Sequence, residues 1–319
     1  MKTIGILTSG GDAPGMNAAV RAVTRSALAK GLKVKAILNG YAGLMSDQVE
    51  DMSLQSVDNI ISLGGTILGT ARSPEMESDE GQEKAVEVIK KHGIEGLVVI
   101  GGDGSFLGAY ALHKRGIKTI GIPGTIDNDM GFTELTIGFP TATETVVDSI
   151  RRLRDTSGSH GRVNVVEVMG RHCGDIALYA GIAGGAESII VPEVDFSIDA
   201  ICDKIIKTRA RGKKHHIVVV AEGVDNIPEI VNEIKEKTQN DTKHTVLGHI
   251  QRGGSPIYKD VVMASEMGVK AVDLLLEGQS SQAIGYKGGK IFNMPITEAV
   301  KTKEEFNKEL YELSDVLSY

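Results

Sequence analysis

Residues 97–105 read LVVIGGDGS, and residues 119–129 read TIGIPGTIDND. Each opens on a short apolar run and closes on glycines, hydroxyls and carboxylates. Runs of four to eight residues rich in Val and Ile fit strands buried on both faces of a parallel sheet. The same grammar recurs along the chain: 4–7 precedes TSGGDAPG, 163–168 precedes MGRHCGD, and 217–221 precedes Glu222 and Gly223. Helical patterns fill the intervals at 16–30, 80–92 and 143–154. Strands alternating with helices predict an α/β fold with parallel sheets. Open sheets of this kind bind ligands at the carboxyl ends of their strands, so the five motifs are expected along one edge. The last stretch, KTKEEFNKELYELSDVLSY at 301–319, reads as a polar, surface-facing helix.

Length and composition narrow the function. A chain of 319 residues, 41% of them hydrophobic, can bury a large core and predicts roughly two domains. Neither a Pro/Ser-rich linker nor a repeat of 20–50 residues appears, so ordered crossovers would join the domains. No stretch approaches the ~18 uninterrupted apolar residues of a membrane span. The opening MKTIGILTSGGD lacks a signal-peptide pattern and runs straight into a strand. A cytoplasmic protein with no membrane partner is expected. Cys173 and Cys202 do not make a disulfide framework, and Cys173 reads as a small buried residue. A net charge of -7, 4% aromatics and no Trp argue against nucleic acid as a partner. Thirty-nine glycines exceed the average usage of about 7%, and they gather just after the apolar runs.

Two familiar phosphate motifs are missing. Gly288-Gly289-Lys290 is followed by Ile291, which breaks the P-loop pattern, and Gly108 falls one residue too late for GxGxxG. What remains is GGDGS, Gly101 to Ser105, between a strand and a helix. Its glycines let the backbone approach phosphate oxygens, and the helix start offers free N–H groups. Asp103 can hold Mg²⁺ directly or through water. Taken alone, GGDGS also fits a kinase of NAD or of a lipid. PGTIDND then places Asp127 and Asp129 at i and i+2, with the hydroxyl of Thr125 beside them. Phosphoryl transfer needs a metal, a cationic clamp and a carboxylate near the attacking hydroxyl.

With LTSGGDAPGMNAAVRA at 7–22, TAR at 70–72, VVIGGDGS, PGTIDND, MGRHCGD at 169–175, VVAEG at 219–223 and VLGHIQRGGSP at 246–256, the chain resembles the bacterial ATP-dependent 6-phosphofructokinases along its whole length. The resemblance implies two three-layer α/β domains with the active site in their cleft. The larger, ATP-binding domain would take 1–138 and 251–303. The smaller, sugar-phosphate-binding domain would take 139–250 and 304–319. ATP would lie on Gly11, Arg72, Ser73 and Gly102 to Ser105, including Gly104, with Mg²⁺ at Asp103. The 1-hydroxyl of fructose 6-phosphate would meet Thr125, Ile126, Asp127 and Asp129, with Asp127 as the base. Arg72 and Arg171 would neutralise the moving phosphoryl group. Met169 and Gly170 would offer backbone contacts, and Glu222 would accept sugar hydroxyls. His249 and Arg252 would hold the 6-phosphate, joined by Arg162 and Lys243 from a neighbouring chain of a homotetramer.

Position 243 is Arg in most of that family. Lys243 brings a point charge in place of a planar fork, which implies a weaker grip on phosphate. Pyrophosphate-dependent relatives carry Asp at the position of Gly104 and Lys at that of Gly124; the two glycines here leave room for a nucleotide. Arg21 and Arg25 share a helix face, and Arg209 to His216 form a basic run; each alone reads as a solvated surface. The resemblance makes them part of an effector site of Arg21, Arg25, Arg154, Gly185, Glu187, Arg211, Lys213, Lys214 and His215. That site would bind ADP as activator and phosphoenolpyruvate as inhibitor. Leu54 and Asn59 depart from the family there. A pyrophosphate-dependent enzyme, a kinase of another acceptor and a non-catalytic nucleotide sensor are the competing readings.

Overall fold

The structure is a computed structural model that describes residues 1–318. The chain opens with β1 (Thr3–Thr8), α1 (Met16–Ala29), β2 (Lys33–Ile37), α2 (Gly40–Met45), β3 (Val49–Met52), α3 (Asp79–Lys91), β4 (Gly96–Gly101), α4 (Asp103–Lys114), β5 (Lys118–Thr125) and β6 (Ile137–Gly138). It continues through α5 (Phe139–His160), β7 (Val163–Val168), α6 (Asp175–Gly184), β8 (Ser188–Ile190), α7 (Ile198–Ala210), β9 (His216–Ala221), α8 (Ile227–Thr238) and β10 (Thr242–Val246). It closes with α9 (Tyr258–Leu276), β11 (Gln282–Lys287), β12 (Lys290–Pro295), α10 (Ile296–Ala299) and α11 (Lys308–Leu317).

These elements form two units. The first takes residues 1–126, 130–141 and 252–304; the second takes 127–129, 142–251 and 305 onward. The first unit's sheet runs β12-β11-β5-β4-β1-β2-β3, with β6 beside β5. It is parallel except at its edges, where β11–β12 and β2–β3 are antiparallel. Its central strands are apolar on both faces because helices cover both. Leu7, Leu97 and Val99 pack with Ile89, Phe106 and Leu112 of α3 and α4. On α1 and α9 the backbones come close: a Cβ on Gly268 would sit 2.7 Å from the Ala22 methyl and 3.0 Å from Ala19 O.

The second unit's sheet, β10-β7-β9-β8, is parallel throughout. Val163, Val165, Val218 and Val220 pack with Ile205, Ile230 and Ile234 of α7 and α8.

The α/β fold class with mostly parallel sheets matches the reading of the sequence, but three local expectations are corrected. The five motifs do not share one edge: β1, β4 and β5 end in the first sheet, β7 and β9 in the second. The run at 119–122 continues as strand to Thr125, because Gly124 and Thr125 pair with Ile137 and Gly138. Of the described residues 301–318 only Lys308–Leu317 is helical, since Asn307 starts the helix by accepting the Leu310 N–H at 2.9 Å. Both cysteines are buried thiols, as Cys173 was read.

In each unit one buried titratable group bears on the pH dependence of stability. Asp260, in the first turn of α9, accepts the Gly138 N–H at 2.7 Å, the Thr141 N–H at 2.9 Å and the Thr141 hydroxyl at 2.5 Å. Burial outweighs these donors and pushes its carboxyl up to about 6. His216, at the start of β9, shares a hydrogen with the Thr208 hydroxyl at 2.5 Å, and burial pushes it down to about 4.

The two groups give opposite pH dependences. Asp260's folded value lies above its unfolded value near 3.9, so its contribution is fully present below about 4 and lost as pH rises through about 6. His216's folded value is depressed, so its contribution is present above about 6.5 and lost as pH falls through about 4. Between pH 4 and 7 wild type should lose about 2–3 kcal/mol of unfolding free energy relative to Asp260→Asn. Urea unfolding at several pH values measures this; a difference independent of pH contradicts it.

Candidate active site

The first unit's site grows from the ends of β1 and β4. Ser9 N–H bonds Ile100 O at 2.9 Å, and Ser105 Oγ donates to Ser9 O at 3.2 Å, so the two Gly-rich turns are bonded to each other. A Cβ on Gly101 would lie 2.4 Å from Ser9 O, which excludes any other residue there. Thr70 Oγ1 donates to Gly10 O at 2.7 Å and ties 70–73 to the same place, leaving Arg72 exposed. Beneath, the buried Tyr41 donates to Ser105 O at 2.7 Å, and desolvation raises its phenol. Asp103 is exposed as the first residue of α4, after the Gly102 cap. An exposed oxygen donor at a helix start, flanked by Gly102 and Gly104 with open space around them, fits a hydrated Mg²⁺. Arg252 lies against this loop: its Nη1 donates to Asp12 O at 3.2 Å, and a Cβ on Gly11 would sit 2.7 Å from that nitrogen. Thr125 is fixed by its backbone, whose carbonyl accepts the Thr136 hydroxyl at 2.6 Å. Ile126, next in line, is fully buried.

The second unit's site grows from the ends of β7 and β9 and from the triplet Asp127-Asn128-Asp129. Asp127 and Asn128 are buried. Arg171 Nη1 donates to Asp129 Oδ2 at 2.9 Å. The MGRHCGD loop that carries Arg171 is held by Glu222, whose Oε1 accepts the Arg171 N–H at 2.8 Å and the Gly170 N–H at 3.2 Å. The fully buried Gln251 accepts the Met169 N–H at 3.2 Å. Glu222, which the resemblance implies as a ligand for sugar hydroxyls, shapes the loop. Tyr41 and Gln251 were not singled out; nothing in their local sequence marks a side chain that works on a distant turn.

The remaining candidates fall into further groups. Arg162 and Lys243 meet on one carboxylate: Asp241 lies 2.6 Å from Arg162 Nε and 2.8 Å from Lys243 Nζ. The two cations hold that carboxyl below the usual range, Lys243 more than Arg162. His249 is exposed in the second unit, whereas Arg252 belongs to the first. The basic set is likewise divided. Arg21 and Arg25 lie on α1, where Arg25 pairs with Asp58 at 3.3 Å. Asn59 has φ 60°, a left-handed backbone that Asn tolerates, and its neighbour Asp58 is the acid that meets Arg25. In the second unit Arg154 donates to Gly184 O and to Gly185 O, the latter at 2.7 Å. There the buried Glu187 accepts the Ile217 N–H at 2.5 Å and pairs with Lys213 at 2.6 Å. Arg211 caps the end of α7, and Lys214 and His215 lie just before β9.

Residues 3–275 match the family model described as Phosphofructokinase. The chain is 57% identical over 318 residues to the ATP-dependent 6-phosphofructokinase of Finegoldia magna, covering all of both chains. Phosphofructokinase from Saccharomyces cerevisiae aligns with TM-score 0.91 and 36% identity over 98% of this chain; the chain spans about half of that polypeptide (50%). The pyrophosphate-dependent phosphofructokinase from Marinobacter aquaeolei aligns with TM-score 0.87 over 97% of this chain and 86% of that one; at 24% identity the likeness concerns fold alone.

Two glycines separate space from charge. A Cβ on Gly104 meets nothing within 4 Å, whereas one on Gly124 lies 3.0 Å from both Ile100 Cγ2 and Met16 Cε. Gly104→Asp should therefore fold as wild type but place a second carboxylate beside Asp103. The expected result is an unchanged melting temperature with the KM for ATP–Mg²⁺ raised about tenfold or more. Gly124→Lys should cost about 1–3 kcal/mol by overpacking. Thermal melts and initial rates measure both; an unchanged KM in Gly104→Asp contradicts a nucleotide on this loop.

Proposed function

The chain belongs to the phosphofructokinase family, and from that membership we propose that it transfers the γ-phosphoryl group of ATP to the 1-hydroxyl of fructose 6-phosphate. The products are fructose 1,6-bisphosphate and ADP. The observation that carries the reading is the acid triplet: a buried carboxylate at Asp127 beside an Asp129 that is bonded to the Arg171 guanidinium.

Asp127 receives the proton of the 1-hydroxyl as the new O–P bond forms and the bond to the ADP oxygen breaks. A carboxylate of ordinary basicity suffices if the transition state is loose and the proton leaves late. Thr125 orients the hydroxyl, and Asp129 keeps Arg171 in place. Arg171 and Arg72 meet the charge of the moving group. Asp103 would hold Mg²⁺, which would supply charge neutralisation on the transferring phosphate. The bonded turns at Gly11, Ser73 and Gly102–Ser105 offer backbone N–H groups to the nucleotide, and Glu222 and the Met169–Gly170 backbone face the sugar. The 6-phosphate is held by His249 and Arg252, with Arg162 and Lys243 from a neighbouring chain of a homotetramer. Asp241 supports that last assignment, because one carboxylate keeps both cations together.

Regulation belongs to the same reading. ADP activates and phosphoenolpyruvate inhibits, at a site of Arg21, Arg25, Arg154, Gly185, Glu187, Arg211, Lys213, Lys214 and His215. The Lys213–Glu187 pair supports it, since the site then contains a carboxylate able to take a metal or to repel an acid. The enzyme works in the cytoplasm.

A coupled assay with ATP–Mg²⁺, with pyrophosphate and with Asp127→Ser tests the chemistry. ATP alone should support turnover, and the variant should fall about 10²–10⁴-fold; equal turnover with pyrophosphate would reverse the donor. Phosphoenolpyruvate titrated against the fructose 6-phosphate saturation curve should shift it to the right, by a coupling of about 1–3 kcal/mol. A curve that stays in place means the effector site is silent.

A further inference from the structure

The middle residue of the acid triplet takes no part in the chemistry described above, yet it is bound. Asn128 is buried with a left-handed backbone, φ 56°. Its Nδ2 donates to Asp175 Oδ2 at 2.7 Å. Asp175 is the first residue of α6, where the helix dipole favours a carboxylate.

The loop that delivers Asp175 is itself tied down. Cys173 N–H bonds Gly170 O at 2.9 Å, Gly174 N–H bonds Glu193 Oε1 at 2.7 Å, and Glu222 holds the N–H groups of Gly170 and Arg171. One loop thus reaches the triplet twice, through Asp175 to residue 128 and through Arg171 to residue 129. Residues 127–129 belong to the second unit although Ile126 and Met130 belong to the first. Burial raises the Asp175 carboxyl above its ordinary range, against the pull of the Asn128 amide, so the acid occupies a place that costs free energy to fill.

Resting on the reading of Asp127 as the base, we infer that Asp175 is a positioning residue for phosphoryl transfer, acting through Asn128 to fix the direction of the Asp127 carboxylate. Asparagine suits position 128 on two counts: it tolerates φ > 0, and its amide is a donor. A misplacement of about 1 Å at a reacting group can cost about 10²-fold in rate. The contact should therefore appear in kcat and not in substrate binding.

Asn128→Gly is the informative variant, because glycine keeps the left-handed backbone and removes only the amide. The set is Asn128→Gly, Asp175→Ala, Asp175→Asn, the double variant Asn128→Gly/Asp175→Ala, and Asp127→Ser as a control on the base. kcat per folded enzyme and both KM values are measured, with circular dichroism for the folded fraction. Asn128→Gly and Asp175→Ala should each lower kcat about 10–100-fold and leave both KM values within about twofold. Asp175→Asn, which keeps an acceptor oxygen, should fall less. The double variant should be no slower than the slower single. Three results overturn the inference while Asp127→Ser is crippled: kcat of Asn128→Gly within about threefold of wild type, losses that multiply in the double variant, or a rise in KM in place of the fall in kcat. If Asp127→Ser keeps the wild-type rate, the base assignment fails first and the inference falls with it.

Discussion

Two backbone N–H groups in the MGRHCGD loop, those of Gly170 and Arg171, end on one carboxylate oxygen of Glu222. Both residues have positive φ, 139° and 55°, so the loop turns where an ordinary chain would run straight. A charged acceptor roughly doubles the strength of such bonds relative to neutral ones. With the turn fixed, Arg171 projects to Asp129 and α6 begins at Asp175, beside Asn128. Without it, neither the guanidinium nor the buried amide contact has a defined origin. The second unit's own site thus hangs on a carboxylate one residue beyond β9.

The first unit solves the same problem chiefly with neutral groups, Arg252 on Asp12 O being the charged one. The glycines of its turns have no side chains to hold them, so the turns' carbonyls are held by hydroxyls, one of them from the other turn. Thr70 donates to Gly10 O, Ser105 to Ser9 O and Tyr41 to Ser105 O. The open space at Gly102 and Gly104 and the crowding at Gly101 are two sides of one arrangement. Backbone is exposed where phosphate would come close and packed where the turns meet. The loops are rigid without being filled, which is what preorganised recognition of a charged group requires.

Much of this was legible in the sequence. The central strands β1, β4, β5, β7 and β9 announce themselves as unbroken apolar runs because both their faces are covered. The edge strands do not: β3 and β10 read VEDM and TKHTV, polar because one face or side meets water. The start of α5 at Phe139 is hidden by Pro140, which suits a first turn as well as a break. The apolar runs alone do not show that the motifs divide between two sheets, since a run of Val and Ile does not say which strand it pairs with; only chain length and the family resemblance implied two domains. Asp103, Asp127 and Asp129 stood out because GGDGS and PGTIDND set carboxylates among glycines and hydroxyls after a strand, and Arg171 because MGRHCGD resembles the family. Tyr41, Asp175 and Gln251 did not, because each supports a turn far away in the chain.

The most direct test of the account follows the phosphorus atoms themselves. Wild-type protein is mixed with ATP–Mg²⁺ and fructose 6-phosphate and followed by phosphorus-31 NMR. The account predicts that the γ-phosphate signal is replaced by a new phosphomonoester on C1 of the sugar, one for each ADP formed, and that ATP persists when the sugar is left out. Release of inorganic phosphate with the sugar unchanged, or at the same rate without it, would contradict transfer to the 1-hydroxyl.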